Sequence, residues 1–539
     1  MRGDLDKYES GPKIVVYFLA ALASIIYLIY RIAYTMPFEL RPVDIIIGLL
    51  VLIVEIVETF EYVIYYANVL IYKKVSPKTP VVKGDLPDVD VFVATLNEDE
   101  DVLRGTLKAC AAMKYPNPKK VHIYLCDDGE RKELKKLARE FDAKYIARTT
   151  HNFAKAGNYN FALKQSDSPY VAIFDADMRP DKNFLMKTMP FFVKEEKVGF
   201  VQTPQSFNNP DIFQARYSTK MPLEQDYFYR YIQLARNNNN SVIMCGTNCV
   251  LSRQALKEAG GFAQATIAED VATGMLMEAK GYRGIAISEV LAHGEAVNDV
   301  AGFLRQRSRW GRGCIQTAKS YGIFSVKGLT MVQKLDYFVS IKYWCFGLRR
   351  TFFMALPLIY VFFHVIAIEG DLRVFLPLFF TQYLLKRFVI DWMEGRRKSS
   401  TWMKIYELIQ APYMLLVVLG ELVGISSKKF VVTKKGGAAK KKGGADIMLF
   451  FAHWLLLMLN GLGLAVAIFK LVHEGLELYI IPIIWITINV FYLLFVLLFD
   501  LRSSRTPKGF KPDTRDKYGL GAFFGMLWRK KWKKPFWLC

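Results

Sequence analysis

One stretch of the chain runs from apolar residues straight into two carboxylates one residue apart: Tyr170-Val-Ala-Ile-Phe-Asp175-Ala-Asp177. The run is short, β-prone and followed by Met178-Arg179-Pro180, so it reads as a buried strand ending at a turn. Side chains two apart on an extended segment point the same way, which turns Asp175 and Asp177 toward one spot at the strand's carboxyl end. Ligands of open α/β sheets sit there. Two hard oxygen ligands beside a crevice suit Mg2+ or Mn2+, with a substrate diphosphate completing the shell. The plain alternative is a solvated turn that happens to hold two aspartates, and the neighbouring motifs must decide.

Those neighbours carry chemistry of the same kind. Thr95-Leu-Asn97-Glu98 and Asp127-Asp128-Gly129 each follow a short apolar run, and their carboxylates and amides can hold a nucleoside and a metal-bound diphosphate. His151-Asn-Phe-Ala-Lys155-Ala-Gly-Asn158 sets a lysine just before a glycine at an expected helix start, where a helix amino terminus and an ammonium make an anion site. Ile267-Ala-Glu269-Asp270 supplies a carboxylate that can take the proton of a sugar hydroxyl, or alternatively caps the helix that follows. In Gln306-Arg307-Ser-Arg309-Trp310 an indole face can stack on a pyranose, and Arg309 can neutralise a departing diphosphate.

The elements that must position these residues alternate from about Asp88 to Thr317. Strands are expected at Val89–Thr95, Val121–Cys126, Lys144–Ala147 and Tyr170–Phe174. Helices are expected at Glu100–Met113, Arg131–Phe141 and from about Gly157. This alternation predicts a mostly parallel sheet with helices on both faces. Asn237-Asn-Asn-Asn240 reads as a polar loop without assignable chemistry.

On either side the chain is apolar. Ile14 to about Met36, Ile45 to about Leu70, Trp344–Ile368, Val374 to about Val389, Ile447–Phe469 and Tyr479–Phe499 are each long enough to cross a bilayer. Trp402–Val423 carries Lys404, Glu407, Gln410 and Glu421 and is expected to lie along the membrane surface. Lys7, Lys13, Lys73 and Lys74 flank the first pair of spans, and Pro37–Pro42 between them is poor in positive charge. The positive-inside rule then places the amino terminus and the α/β region in the cytoplasm.

The composition agrees. Of 539 residues 52% are hydrophobic, and the formal net charge is +22. That charge collects at Lys386–Lys404, Lys428–Lys442 and Arg502–Lys534, on the expected cytoplasmic side, which favours anionic lipid and anionic substrate over nucleic acid. The seven cysteines include no C-x-x-C, and the six histidines show no metal-ligand spacing, so neither a zinc site nor a disulfide framework is indicated. The start of the chain lacks a cleavable signal pattern, so the first apolar run is expected to remain as a span.

Taken in order, Thr95–Glu98, Asp127–Gly129, Lys155–Asn158, Asp175–Asp177, Gln202-Thr-Pro-Gln205, Glu269-Asp270 and Gln306–Trp310 resemble the motifs of bacterial cellulose synthase catalytic subunits and other processive family 2 glycosyltransferases. Lys429-Phe430-Val-Val-Thr433-Lys-Lys435 is similar to that family's gating loop. The resemblance implies a GT-A domain at 85–320, set between membrane helices at 1–75, 321–425 and 446–500. It also implies a gating loop at 426–445, and a basic membrane-surface tail is expected at 501–539. It further implies a processive, inverting β-glucan synthase of the plasma membrane that uses UDP-glucose and Mg2+ or Mn2+. The nascent glucan and membrane lipids would be its other partners.

Residue by residue, the resemblance places Asp127 or Asp128 at the uridine, Asp175 and Asp177 at the nucleotide and metal, and Lys155 and Arg309 near the diphosphate. Thr95, Asn97, Glu98, Gln306 and Arg307 line the substrate. Asp270 is the implied base beside Glu269, Trp310 and Cys245 lie at the acceptor, and Phe430, Thr433 and Lys435 close over the nucleotide. There are departures. Ala268 stands where the family's base motif has threonine, and Cys245-Gly-Thr247 where it often has C-G-S. The tail is too short for a PilZ domain, so activation through such a domain of this chain is not expected. Cellulose, mixed-linkage and curdlan-type synthases share these motifs. A non-processive transferase acting on a lipid acceptor is the second reading, and a pure channel, which needs no aligned carboxylates, the third.

Overall fold

The computed structural model describes residues 11–77, 86–193, 197–216, 223–297, 299–393, 400–425, 447–474 and 477–501. Its centre is a sheet of seven strands. In chain order the strands are β1 (Val89–Thr95), β2 (Val121–Asp127), β3 (Lys144–Ala147), β4 (Tyr170–Asp175), β5 (Arg179–Pro180), β6 (Val198–Gln202), β7 (Ser206–Phe207), β8 (Cys249–Ser252), β9 (Arg283–Ala286) and β10 (Ala292–Gly294). The main sheet runs β3-β2-β1-β4-β8-β6-β9, and β5-β10-β7 make a small second sheet. Strands β1 to β4 are parallel, β8 is antiparallel to both of its neighbours, and β6 runs parallel to β9.

The chain walks outward from β1 to β3, then crosses back to place β4 on the other side of β1. That reversal opens a crevice at the carboxyl ends of β1 and β4, where ligands of such sheets bind. The register brings the motifs there. Thr95 pairs with Asp127, and Ala94 with Asp175. Val89, Val91, Phe92 and Val93 are wholly buried, as a strand covered on both faces requires. The faces are covered by helices α3 (Glu100–Ala111), α4 (Leu134–Glu140), α5 (Ala154–Lys164), α6 (Phe184–Thr188), α8 (Gln233–Arg236), α9 (Arg253–Ala259) and α10 (Glu269–Ala279), while α7 (Ile212–Arg216) packs Phe213 against Phe303, Tyr406 and Phe499 outside the sheet. Here α5 starts three residues before the expected position, because Phe153 and Ala154 take left-handed φ of 64° and 43° and turn the chain into the helix early.

Around this domain lie α1 (Gly11–Tyr34) and α2 (Pro42–Leu70) from the amino-terminal part, and α11 (Val300–Tyr321) to α17 from the rest. The latter continue as α12 (Met331–Tyr343), α13 (Phe346–Phe363), α14 (Leu372–Met393), α15 (Ser400–Leu422), α16 (Ile447–Glu474) and α17 (Ile480–Leu501). Five stretches among the described residues are long and apolar enough to cross a membrane: Ile14–Tyr34, Phe346–Phe363, Met403–Leu422, Met448–Glu474 and Ile480–Leu501.

This set departs from the sequence expectation in two ways. Met403–Leu422, expected to lie on the surface, belongs to it. The polar residues that suggested an amphipathic helix face other helices: Glu407 pairs with Arg349 and with Arg350 on α13, and Glu421 with Arg312 on α11. The stretches Ile45–Leu70 and Val374–Val389 do not belong to it, because charged residues interrupt α2 and α14. On α2 those charges are matched: Glu55 by Arg31 at 2.9 Å, Glu58 by Arg349 at 2.7 Å and Glu61 by Lys342 at 2.8 Å.

The asparagine run Asn237–Asn240 turns out to be a clasp. Asn237 exchanges hydrogen bonds with the backbone of Ala286, and Asn240 donates to Tyr282 O and accepts from Gly284 N, so both grip the edge strand β9. Asn238 donates to Ile71 O and accepts from Lys73 N, while Asn239 donates to Asn68 and to Asp336. One loop thus fastens the sheet edge to the end of α2 and to α12 through matched amide hydrogen bonds, those of Asn237 to β9 being buried.

Candidate active site

The loop after β1 is folded by its own glutamate. Glu98 accepts from Thr95 Oγ1 at 2.7 Å and from the amides of Leu96 and Asn97. Two arginines, not singled out from the sequence, organise the next strand end. Arg131 reaches Asp127, Thr95 Oγ1 and Glu98 O, and Tyr145 adds a 2.9 Å hydrogen bond to Asp127, whose side chain is fully buried. Arg148 grips Asp128 with two bonds of 2.6 and 2.9 Å, and His151 lies 3.4 Å from the same carboxylate. Arg131 shows a sequence signal, an arginine four residues after Asp127. Arg148 shows none, since only the β2–β3 pairing brings it to Asp128.

Lys155, in the first turn of α5, donates to Asp175 Oδ1 at 2.5 Å and to Gly246 O at 2.7 Å. Burial is the largest influence and works against its charge, but Asp175, Tyr159 and Glu269 together outweigh it and hold the ammonium above the usual lysine range. The second aspartate is placed differently from the expectation. Strand β4 ends at Asp175, and Ala176-Asp177 form a turn closed by Met178 N to Asp175 O at 3.0 Å. The alternation of an extended strand therefore stops before Asp177, which is buried and accepts from Glu295 N. Asp175 and Asp177 offer hard oxygen donors suited to a divalent cation. Among the described residues no group of three or more His, Cys, Asp or Glu gathers to hold a metal by itself. Asp175 and Asp177 would hold such a cation only together with further oxygen donors from the substrate or water.

On the far side of Lys155 lies Cys245-Gly246-Thr247. Gln202, first residue of the Gln-Thr-Pro-Gln motif, holds this loop by accepting from Cys245 N and donating to Thr247 O. Thr247 Oγ1 in turn accepts from Asp175 N. Gly246 has φ of 70°, and a Cβ there would stand 2.8 Å from Asp270 Oδ2, so both the conformation and the contact require glycine. Asp270 is thereby brought beside the Lys155–Asp175 pair. The helix-cap alternative does not describe it: Ala268 is the N-cap of α10, without a side-chain bond, and Asp270 accepts from Val271 N inside the first turn.

Glu269 and Asp270 make no salt bridge among the described residues. Burial raises both, and the Asp270 charge adds to the effect on Glu269, which is pushed up to about 7. Lys155 and Arg309 oppose the rise for each.

Helix α11 carries the Gln306–Trp310 motif to the same place. Gly313 allows the approach, since a Cβ there would lie 2.6 Å from Ala268 Cβ. The same contact explains why a small residue at position 268 fits. Arg307 is buried, ion-paired with Glu224, and its guanidinium lies 4.3 Å from the Trp310 ring centre. Trp310 also meets Trp344 edge-on. A cleft alongside is lined by Phe207, Asp211, Glu224, Gln225, Phe303 and Gln306. Within it, burial pushes Asp211 up to about 6. Phe430, Thr433 and Lys435 lie outside the described residues, as does the basic tail.

Residues 87–313 match the model of the glycosyltransferase-like family 2. That region is similar to the glycosyltransferase-like family 2, and its candidate site lies at the strand ends. The longer chain is similar to bacterial cellulose synthase catalytic subunits. It is 29% identical over 497 residues to the UDP-forming cellulose synthase 1 catalytic subunit of Komagataeibacter xylinus, covering 89% of this chain and 65% of that protein. It is 34% identical over 347 residues to the UDP-forming catalytic subunit of Xanthomonas axonopodis pv. citri, covering 63% of this chain and 47% of that one. The chain thus spans about half to two thirds of the length of these curated relatives. Among solved structures, a mannosyltransferase of Pyrobaculum calidifontis in complex with GDP-Man and Mn2+ is 18% identical with a TM-score of 0.48, covering 76% of this chain and 100% of that one.

Proposed function

We propose that the chain is a processive, inverting β-glucan synthase that transfers glucose from UDP-glucose to the end of a growing glucan and passes the polymer across the plasma membrane. One observation carries the reading. A carboxylate pair with no salt bridge among the described residues, buried Glu269 and half-buried Asp270, faces a lysine-held carboxylate, Asp175, across a glycine, with the Trp310 helix closing the same space. Membrane helices flank this domain in sequence on both sides.

In this reading Lys155 faces the diphosphate, and Arg309 adds charge where the leaving group develops it. Asp128, fixed by Arg148, sits at the nucleoside end of the crevice together with the Thr95–Glu98 loop. Asp175 and Asp177 would hold Mg2+ or Mn2+, which when bound neutralises the diphosphate charge. Asp270 accepts the proton of the acceptor hydroxyl as that oxygen attacks the anomeric carbon from the face opposite the departing UDP, which inverts the configuration. Trp310 holds the acceptor ring by stacking, and Arg307 stiffens the indole from beside it. The catalytic domain faces the cytoplasm, where UDP-glucose is available.

The experiment uses the full chain in lipid vesicles with UDP-glucose and Mn2+. UDP release, polymer length and glycosidic linkage are measured with and without EDTA. Long β-glucan that disappears with EDTA supports the reading. Transfer of single sugars to lipid supports the lipid-acceptor alternative, and full activity in chelator removes the metal assignment.

A further inference from the structure

We propose that Glu421, near the end of α15, is a positioning residue for the base: it fixes the loop that presents Asp270 to the helix bundle. This rests on the reading of Asp270 as the base. Glu421 is almost fully buried, far from the strand ends, and no part of the chemistry uses it. A buried carboxylate is costly unless paired and hydrogen-bonded. Its surroundings on α11 meet that need. Gln316 Nε2 donates to Glu421 Oε1 at 3.2 Å, Arg312 lies 3.4 Å from the same oxygen, and Lys319 donates to the Glu421 backbone carbonyl.

Gln316 is the link. Its amide oxygen accepts from Ile267 N, directly before Ala268-Glu269-Asp270. Because Gln316 donates with one end and accepts with the other, its amide orientation is set by Glu421, and that orientation presents the acceptor to Ile267. The loop has little other freedom. Thr266 Oγ1 donates to Gly313 O at 2.8 Å, accepts from Ala268 N and receives Thr317 Oγ1. Gly313 presses on Ala268, and on the opposite face of α11 Gly311 presses on Met414 of α15. A shift of α15 relative to α11 is therefore transmitted to Asp270 through a polar relay and two close glycine contacts. The same helix α11 carries Arg309 and Trp310, so base and acceptor platform move together.

The test compares Glu421→Leu, Glu421→Gln, Gln316→Leu and the double variant Glu421→Leu/Gln316→Leu in full-length protein in vesicles. Turnover of UDP-glucose, UDP affinity and the pH profile of kcat/KM are measured. Glu421→Leu and Gln316→Leu are each expected to lower turnover about ten- to a hundred-fold while UDP affinity stays within about two-fold. The double variant loses no more than the worse single one, since both break one path. Glu421→Gln keeps an oxygen for Gln316 and stays closer to wild type, which preserves the test if the leucine variant fails to fold. Loosening the loop exposes Asp270 to water, so the acidic limb of the profile moves to lower pH.

Turnover within about two-fold of wild type in both single variants overturns the proposal. So does a loss of UDP affinity equal to the loss of turnover, or an additive double variant, since either marks a merely structural pair. Wild-type protein that transfers no glucose removes the base reading itself, and this proposal with it.

Discussion

The domain holds two sets of carboxylates, and they are treated in opposite ways. At the ends of β2 and β4, Asp127, Asp128 and Asp175 each have a cation in direct contact: Arg131, Arg148 and Lys155. At the start of α10, Glu269 and Asp270 have no salt-bridge partner among the described residues, and burial lifts both above the ordinary carboxylate range. A carboxylate held by a guanidinium or an ammonium makes a charge-assisted contact that fixes its position, so it serves as a strut or ligand. A buried carboxylate without such a partner can exchange a proton near neutral pH. In the proposed reading, the difference separates the half of the site that would hold a nucleotide from the half that would do proton chemistry.

Breaking the proton-handling half gives the largest effect. Asp270→Asn keeps size and hydrogen bonding but cannot take a proton, so turnover falls about a hundred- to ten-thousand-fold. Its UDP affinity, measured by calorimetry, stays near that of wild type. Next is the bridge between the halves. Lys155→Met removes the donor to Asp175 and Gly246 O, and the loss falls on UDP affinity as well as turnover, about a hundred-fold in kcat/KM.

A pH titration sharpens the contrast without a mutation. The base must be unprotonated, so kcat/KM rises with pH through its pKa. Burial raises Asp270, so the acidic limb lies above the ordinary aspartate range and not near pH 4. The smallest effect on chemistry is Arg148→Met. It leaves Asp128 buried without its partner and destabilises the domain by about 3–5 kcal/mol, read as a fall in melting temperature. A fall confined to activity would show that Arg148 binds substrate and does not serve as a strut.

Much of this was legible from residue order. The strands β1, β2 and β4 ended where apolar runs met Thr95, Asp127 and Asp175, because a strand buried on both faces is mostly apolar and its polar residues collect at its end, with buried Asp90 of β1 an exception paired with Arg253. The base motif and the Gln306–Trp310 helix were legible as motifs. Local pattern failed where a long-range partner changed the meaning of a residue. The polar face of α15 looked like a surface stripe until Arg349, Arg350 and Arg312 arrived from other helices. The four asparagines looked like an idle loop, although each meets a group from an element remote in the chain.

What the sequence by itself determined is therefore the set of chemical groups and the ends of the strands that carry them, since apolar periodicity and carboxylate spacing are local properties. What only the tertiary structure decided is which of those groups is held by a cation. Lys155 reaches Asp175, and Arg148 reaches Asp128, across 20 residues of chain in each case, while Glu269 and Asp270 have no salt-bridge partner among the described residues. Pairing and burial are properties of the packed fold, and they set the protonation on which the proposed chemistry turns.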